Sequence, residues 1–472
     1  MDLRGYLAMM VEEGLVTKIE DPVDWNLEAG AIMRYAAGRH SPAPWLMNVK
    51  DSMKGSSLLG SLFATYERLS VIFGLPRDTG YHELVSFYEE NFVKRLKPVI
   101  VPRGVCQQNV MLGDEIDILK FPVPLLHPQD GGRYIGTLNV GVCKDLDSEW
   151  VNWGTYRGMV HDRRSTGIWL GALNHGGYIL SKYQQRKQVM EYAQFYGSDP
   201  LCNIVAASGI PFGVSEVEVV GGIRNRPVEL VKCKTVDLHV PADAEIVLEG
   251  TIDPAELKDE GPFGEYPGYV VAGVIQRPVF RLTAATYRDN PILPSTCLGV
   301  PTDELLWGLS VAGNVKTALA AAGIPFSRVC VPEQAAWHAA IISTRTPFAG
   351  IPQLIASTVW MDRNGRYFPY VIVVDDDIDP ANLEEVFHAI CTKCNPVKDV
   401  HLYPGHINSP LAPYLARSEL KELGHGGGNI LLDCTWPVTW KREDVPERLS
   451  FDTIYAPAIK ERIIANSARW GL

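Results

Sequence analysis

Hydrophobic and polar positions change their period along the chain, and each change marks a stretch of different character. Residues 1–109 are mixed: apolar positions from about Leu27 to Ala37 recur at helical spacing after Pro22, predicting an amphipathic helix capped by Asp24 or Asn26. Residues 110–302 shift to short β-type runs at Thr137–Val142, Glu216–Val220, Val228–Val236, Glu245–Leu248 and Val279–Ala284. Glu304–Ala322, rich in Leu and Ala and stopped by Gly323 and Pro325, predicts one long helix joining two bodies across residues 303–324. Beyond it, strand-like Ala339–Ile342, Tyr370–Val374 and Val400–Tyr403 alternate with helix-like Gln353–Met361 and Pro380–Thr392. That alternation makes residues 325–445 an α/β body, followed by a tail, 446–472, with a helix near Ile459–Ala468.

A chain of 472 residues exceeds the usual single domain, so two or three domains are expected. With 46% apolar and 21% charged residues it is globular in composition, which excludes a disordered or fibrous protein. The net charge of −11 argues against broad binding to nucleic acid or anionic lipid and leaves room only for a small phosphate site. No run approaches the ~20 apolar residues of a membrane span, and Glu12 and Glu13 stand where a secretory core would be apolar. A soluble cytoplasmic protein is expected. The nine cysteines are an odd number without framework spacing, as expected of reduced thiols; the single Cys391/Cys394 pair reads as structural. Asp375, Asp376, Asp377 and Asp379 read as a solvated strand end with a cap at Asp379, and Gly426–Gly428 as a flexible turn lacking the strand and Lys of a phosphate loop.

Candidate chemistry concentrates in four segments: Trp150–Asp162, Leu173–Ile179, Ser215–Leu230 and Glu260–Tyr269. Asn152, His175 and Glu216 offer an amide oxygen, an imidazole and a carboxylate, a ligand set suited to Mg2+ or Mn2+. Taken singly, a core histidine and a turn asparagine are the plain alternatives. In the fourth segment Glu260 and Glu265 bracket a Gly-Pro-Phe-Gly turn, which either aims two acids at one cavity or is an ordinary surface turn.

Together these residues resemble the UbiD family of decarboxylases, which use prenylated FMN. The resemblance rests on Asn152 with Arg157 five residues on, His175, Glu216 in an SExE-type strand, the Pro227–Val231 run, and Glu260 and Glu265 five apart around the Gly-Pro turn. It spans about residues 1–450 and departs at Asn174, where Gln is common, and at Val220–Ile223 in place of Ala-Gly-Ala-Leu. It implies an α+β chain: a split-barrel, flavin-reductase-like cofactor domain, a linker helix and an α/β domain that builds a homodimer or higher homo-oligomer. The implied reaction is reversible non-oxidative decarboxylation of an aromatic or heteroaromatic carboxylic acid. Prenylated FMN, provided by a flavin prenyltransferase, would be the covalent electron sink. Arg157, Glu260 and Glu265 would form a relay with Glu265 as proton donor. Asn152, His175 and Glu216 would hold Mn2+ or Mg2+ against the flavin phosphate, with K+ a further candidate ion. Thr155, Tyr156, Asn174 and Ser208 would add flavin contacts, and Cys297 with Leu298–Thr302 would line the substrate pocket. A non-catalytic scaffold of the same fold is the alternative that intact Arg157, Glu260 and Glu265 argue against. A simple flavin reductase needs neither the second acid nor the metal ligands.

Overall fold

Small and β-branched residues at alternating positions curl the centre of the chain into one antiparallel sheet of nine strands. The computed structural model describes residues 1–171, 174–407, 409, 411–416, 419 and 426–472, so Leu173 of the second candidate segment lies outside the described residues. Across the sheet run Tyr134–Gly136, Gly158–Asp162, Ser165–Ile168, Ile275–Tyr287, Ile246–Glu260, Met190–Tyr196, Val140–Lys144 and Val151–Gly154, with Asn109–Leu112 added beside Ile275–Tyr287. Its longest strands, Ile246–Glu260 and Ile275–Tyr287, pair with two register shifts, at Glu249/Gly250 and between Asp253 and Leu257. Bulges of this kind bend a strand and add twist. Gly250 is required there, since a Cβ would sit 1.9 Å from the Arg281 carbonyl oxygen. This strand pair ends at Glu260 opposite Ile275, so the first acid stands on rigid sheet and the second on the loop that follows.

An N-terminal sheet of Val16–Val23, Ala43–Val49 and Ser57–Gly60 is completed by Ile292–Ser295, which returns from the central sheet and pairs parallel with Ser57–Gly60. The expected linker forms as the helix Leu306–Ala321, burying Leu306, Leu309, Ala312, Val315 and Leu319 at helical spacing. At Gly313 a Cβ would lie 2.4 Å from the Tyr88 ring, so the approach of the helix Tyr81–Asn91 depends on glycine. C-terminal to it, Arg328–Cys330, Ala339–Thr344, Tyr370–Asp375, Gly426–Cys434 and Val400–Ile407 form one sheet whose three central strands are parallel, with helices Ile351–Met361 and Leu383–Thr392.

Several local expectations are corrected. Glu216–Val220 is not a strand: it opens the helix Glu216–Arg224, in which Glu216, Val217, Val219 and Val220 are buried. A run of β-branched residues carries strand propensity, but tertiary packing overrides it, with Gly222 set against the backbone at Lys94, where a Cβ would lie 2.5 Å away. Val228–Val236 contracts to the strand Glu229–Lys232, and Thr137–Val142 shifts to Val140–Lys144. Gly426–Gly428 is the start of a strand and not a flexible turn, because it lies antiparallel to Val400–Ile407, with Gly428 opposite Pro404 and Gly426 opposite Ile407. Neither Asp24 nor Asn26 caps the helix Glu28–Ala37 by its side chain; Leu27, at φ 69°, precedes it and Asp24 bonds the Asn26 amide instead. Asn382 caps Leu383–Thr392, while Asp379 accepts from the Ala381 amide and pairs with His82. The tail helix Pro457–Trp470 buries no residue within the chain. Among the described residues no helix is long and apolar enough to cross a membrane, and all nine cysteines are free.

Candidate active site

Arg157 enters the strand Gly158–Asp162 with a side chain that is 10% exposed, its guanidinium carbon 4.1 Å from the Trp169 ring centre and 5.1 Å from that of Phe263. Aromatic faces on a planar cation orient its fork. Nε donates to Glu260 Oε1 at 2.9 Å and Nη2 to Glu260 Oε2 at 2.6 Å, while Nη1 meets Glu265 Oε1. The Tyr134 hydroxyl adds a bond to Glu260 Oε1 at 3.0 Å. Glu260 is therefore fully buried and engaged at both oxygens, whereas Glu265 is engaged at one oxygen only among the described residues. One guanidinium faces two buried carboxylates, and it compensates one charge fully. Burial pushes the Glu265 carboxyl up to about 7; Arg157 opposes the rise, and Glu260 and Asp130 add to it. Burial opposes the charge of Arg157 too, but both carboxylates hold it above its ordinary value. The group best suited to hold and release a proton near neutrality is thus Glu265.

The loop between the acids is held from several sides. Gly261 has φ +86°, a region glycine enters freely, and Phe263 packs 4.3 Å from the Tyr134 ring. The Gly264 amide donates to Asp130 Oδ1 at 2.9 Å, and the Glu265 amide donates to the Tyr269 carbonyl at 3.1 Å. The turn expected between the acids does not form there: residues 261–264 run irregularly, and the hydrogen-bonded turn follows at Glu265–Gly268, where the Gly268 amide donates to the Glu265 carbonyl at 2.9 Å.

Asn152, His175 and Glu216 also converge. Asn152 lies on the strand Val151–Gly154, and His175 and Glu216 are the first residues of two helices whose N-termini face one another. Asn152 Nδ2 donates to Glu216 Oε1 at 3.0 Å, the Trp153 amide donates to Glu216 Oε2 at 2.7 Å, and His175 Nδ1 stands 3.7 Å from Glu216 Oε1. The Tyr156 hydroxyl donates to Asn152 Oδ1 at 2.8 Å and accepts from the Gly176 amide at 2.9 Å. Asn174 caps its helix through the Gly177 amide at 2.8 Å. Thr155 is exposed, and the Ser208 hydroxyl donates to the Ile204 carbonyl at 2.6 Å. Among the described residues no three His, Cys, Asp or Glu side chains are placed to hold a metal ion; this cluster brings together two such residues and an amide.

Arg363, from the C-terminal body, meets His175 Nε2 and donates to the Ile210 carbonyl at 3.3 Å. Nothing in the sequence around Asp362–Gly365 marks it as reaching the first turn of the helix His175–Arg186, 188 residues earlier. Tyr134, Trp169 and Phe263 were equally unmarked. A cavity of about 450 Å3 lined by Arg103, Arg224 and Asp243 lies apart from both clusters.

Two buried carboxylates joined by one arginine, and a second polar cluster at Asn152, His175 and Glu216, stand beside one curled sheet. Models of the 3-octaprenyl-4-hydroxybenzoate carboxy-lyase family match its N-terminal domain at residues 7–88, its Rift-related domain at 98–301 and its C-terminal domain at 306–434. The chain belongs to this UbiD family. Pyrrole-2-carboxylic acid decarboxylase of Pseudomonas aeruginosa is 33% identical over 100% of this chain and 97% of that protein. Ferulic acid decarboxylase 1 of Saccharomyces cerevisiae is 30% identical over 100% and 98%. The UbiD-class enzyme HmfF from Pelotomaculum thermopropionicum, solved in complex with FMN, superposes with a TM-score of 0.86 at 25% identity, covering 99% of this chain and 100% of that one. An evolved dimeric form of HmfF, in complex with prFMN, gives 0.80 at 25% identity over 94% and 97%.

Proposed function

We propose that this chain catalyses the reversible non-oxidative decarboxylation of an aromatic or heteroaromatic carboxylic acid with prenylated FMN, and that Glu265 gives the proton replacing CO2. The arrangement of Arg157 between a saturated Glu260 and a half-engaged Glu265 carries this reading. Loss of CO2 from an sp2 carbon leaves electrons that side chains cannot accept, and a bound prenylated flavin supplies that sink. The protein's part is to hold the substrate, exclude water and deliver one proton. Arg157, fixed between Trp169 and Phe263, orients Glu265, while Tyr134 and Arg157 together keep Glu260 as the anchored partner. The named substrates of the relatives, pyrrole-2-carboxylic acid and ferulic acid, support a planar unsaturated acid as the substrate class. Arg34 holds the loop after Cys297, donating to the Cys297 carbonyl at 2.6 Å and meeting the Pro301 carbonyl, as a pocket-lining segment needs.

The second cluster fits a divalent cation and a phosphate. His175 Nδ1 and Glu216 Oε1 stand 3.7 Å apart; Asn152 presents Nδ2 to Glu216 Oε1 and its Oδ1 to Tyr156 and Cys143, so binding an ion would turn that amide and move the Arg363 donor off His175 Nε2, which frees the Nδ1 lone pair. Two helix N-termini and Arg363 add positive potential for a phosphate. Asn152, His175 and Glu216 would hold Mn2+ or Mg2+, anchoring the flavin and taking no part in proton transfer.

Protein produced together with a flavin prenyltransferase should release CO2 from members of a panel of aromatic, heteroaromatic and cinnamate-type acids, and protein carrying only FMN should release none. Full turnover by enzyme whose extracted cofactor is FMN alone, by mass spectrometry, would refute the reading. Glu216→Ala should lower metal affinity by about 10–100-fold and empty the flavin site. The loss in stability should be only about 1–3 kcal/mol, from stranding the Trp153 and Asn152 donors. Elemental analysis, flavin absorbance and a melting curve read all three, and normal metal and flavin content would make Glu216 a structural residue.

A further inference from the structure

His127 and Asp130 take no part in either cluster, yet they tie together the two loops bordering Glu265. Asp130 Oδ1 accepts from the Gly264 amide at 2.9 Å; its Oδ2 accepts from the His127 amide at 3.0 Å and lies 3.1 Å from His127 Nδ1. The other ring nitrogen, Nε2, stands 2.8 Å from the Leu298 carbonyl oxygen. Each ring nitrogen thus faces an oxygen that only accepts, so the imidazolium, with two N–H donors, satisfies both contacts. Asp130 supplies the counter-charge with a side chain wholly removed from solvent. Burial opposes the imidazolium and Arg34 opposes it further, but Asp130 and the Leu298 carbonyl outweigh them. Cys297 Sγ, 3.4 Å from Nε2, completes the surroundings, and Glu265 follows Gly264 directly. The ring also lies against Gly264, where a Cβ would come within 2.5 Å of Nδ1.

We propose that His127 is a positioning residue: with Asp130 it clamps the Gly264–Glu265 peptide to the Cys297–Leu298 segment and so fixes the acid relative to the substrate-lining loop. The inference rests on Glu265 being the acid. Displacement of a catalytic group by about 1 Å costs ~10²-fold in rate, so release of the clamp should fall on kcat.

The test uses full-length His127→Gln, which keeps at most one arm of the clamp, with Asp130→Asn as the second variant should the first not fold. In the flavin-free protein, hydrogen–deuterium exchange in peptides covering residues 261–269 and 296–303 should rise together, whereas a residue of purely local importance would loosen one. In the same form, nitrogen NMR of labelled histidine should show both ring nitrogens of His127 protonated at pH 7, and Asp130→Asn should abolish this. With cofactor, kcat should fall about 10–100-fold while KM stays within threefold and flavin content is unchanged. Unchanged exchange in either loop, a singly protonated ring, an unaltered kcat, or a loss of activity matched by loss of flavin would each overturn the clamp. Were Glu265→Gln fully active, the acid assignment itself would fall; were Glu265→Gln inactive and His127→Gln at full kcat, only the clamp would.

Discussion

Glu265→Gln should bind cofactor and substrate yet release CO2 about 10²- to 10⁴-fold more slowly, the range that a positioned general acid contributes. Gln keeps the size of the side chain and a donor toward the pocket but cannot cycle a proton. Exchange of solvent deuterium into the decarboxylated product should disappear with turnover. Because burial pushes this carboxyl up to about 7, the proton-bearing form dominates below neutrality. The wild-type rate should therefore hold on the acid side and fall about tenfold per pH unit above the apparent pKa. That apparent value belongs to Glu260, Arg157 and Glu265 as a coupled set, and the alkaline limb should vanish in Glu265→Gln. Near wild-type turnover in this variant, with Glu260→Gln inactive instead, would assign the acid to the other carboxylate.

Replacement of Arg157 should be nearly as costly, for a geometric reason. Lysine keeps the charge but has no fork, and Arg157 uses three separate nitrogens: Nε and Nη2 for Glu260 and Nη1 for Glu265. Arg157→Lys should fold, retain flavin and lose at least ~10² in kcat, because the acid is no longer held in place. Arg157→Leu removes the one guanidinium that, among the described residues, bonds both buried carboxylates and should cost about 3–5 kcal/mol in denaturant unfolding. The sign of its pH dependence follows from which form is penalised. Protonation of the carboxyls relieves the uncompensated charge, so the stability deficit should be larger at pH 8 than at pH 5. A deficit independent of pH would mean that lost packing against Trp169 and Phe263, and not charge, is what the substitution removes.

The two clusters behave differently as targets because their parts come from different distances. Arg157 immediately precedes the strand Gly158–Asp162 and Glu260 ends the strand Ile246–Glu260 of the same sheet, so their approach is set largely by the sheet's backbone pairing. Arg363 reaches His175 from the C-terminal body, so that contact depends on how the two bodies pack. Tyr266, next to Glu265, bears on the same packing: its ring lies 5.1 Å from Trp307 of the linker helix, and its hydroxyl is 3.1 Å from Ser409 Oγ.

What the chain determines locally could be read from its residues alone. The linker helix was legible because a Leu- and Ala-rich run without Pro reaches Gly323, and burial at Leu306, Leu309, Ala312 and Val315 follows helical spacing. The α/β alternation after residue 325 was legible for the same reason. Glu260 and Glu265 stood out as two acids around Gly261–Gly264, but that they share one buried site was implied by the family resemblance and not by their spacing. Asn152 could be named from its donor chemistry but not placed beside His175 and Glu216, and Arg157 was recognised only through its match to a family pattern. Tertiary structure decided the rest. Glu216–Val220 alternates like a strand over five residues, too short a window to separate the two periods, and packing against Lys94 and Leu96 makes it a helix. Gly426–Gly428 has no side chains to show a period, and only the partner strand Val400–Ile407 makes it extended. Which acid is saturated depends on Tyr134, 126 residues from Glu260, and the clamp on Glu265 depends on His127 reaching Leu298 across 171 residues. Periodicity reports which face of an element is buried; it carries no record of which distant residue will bury it, and in this protein that distant residue decides where the proton is held.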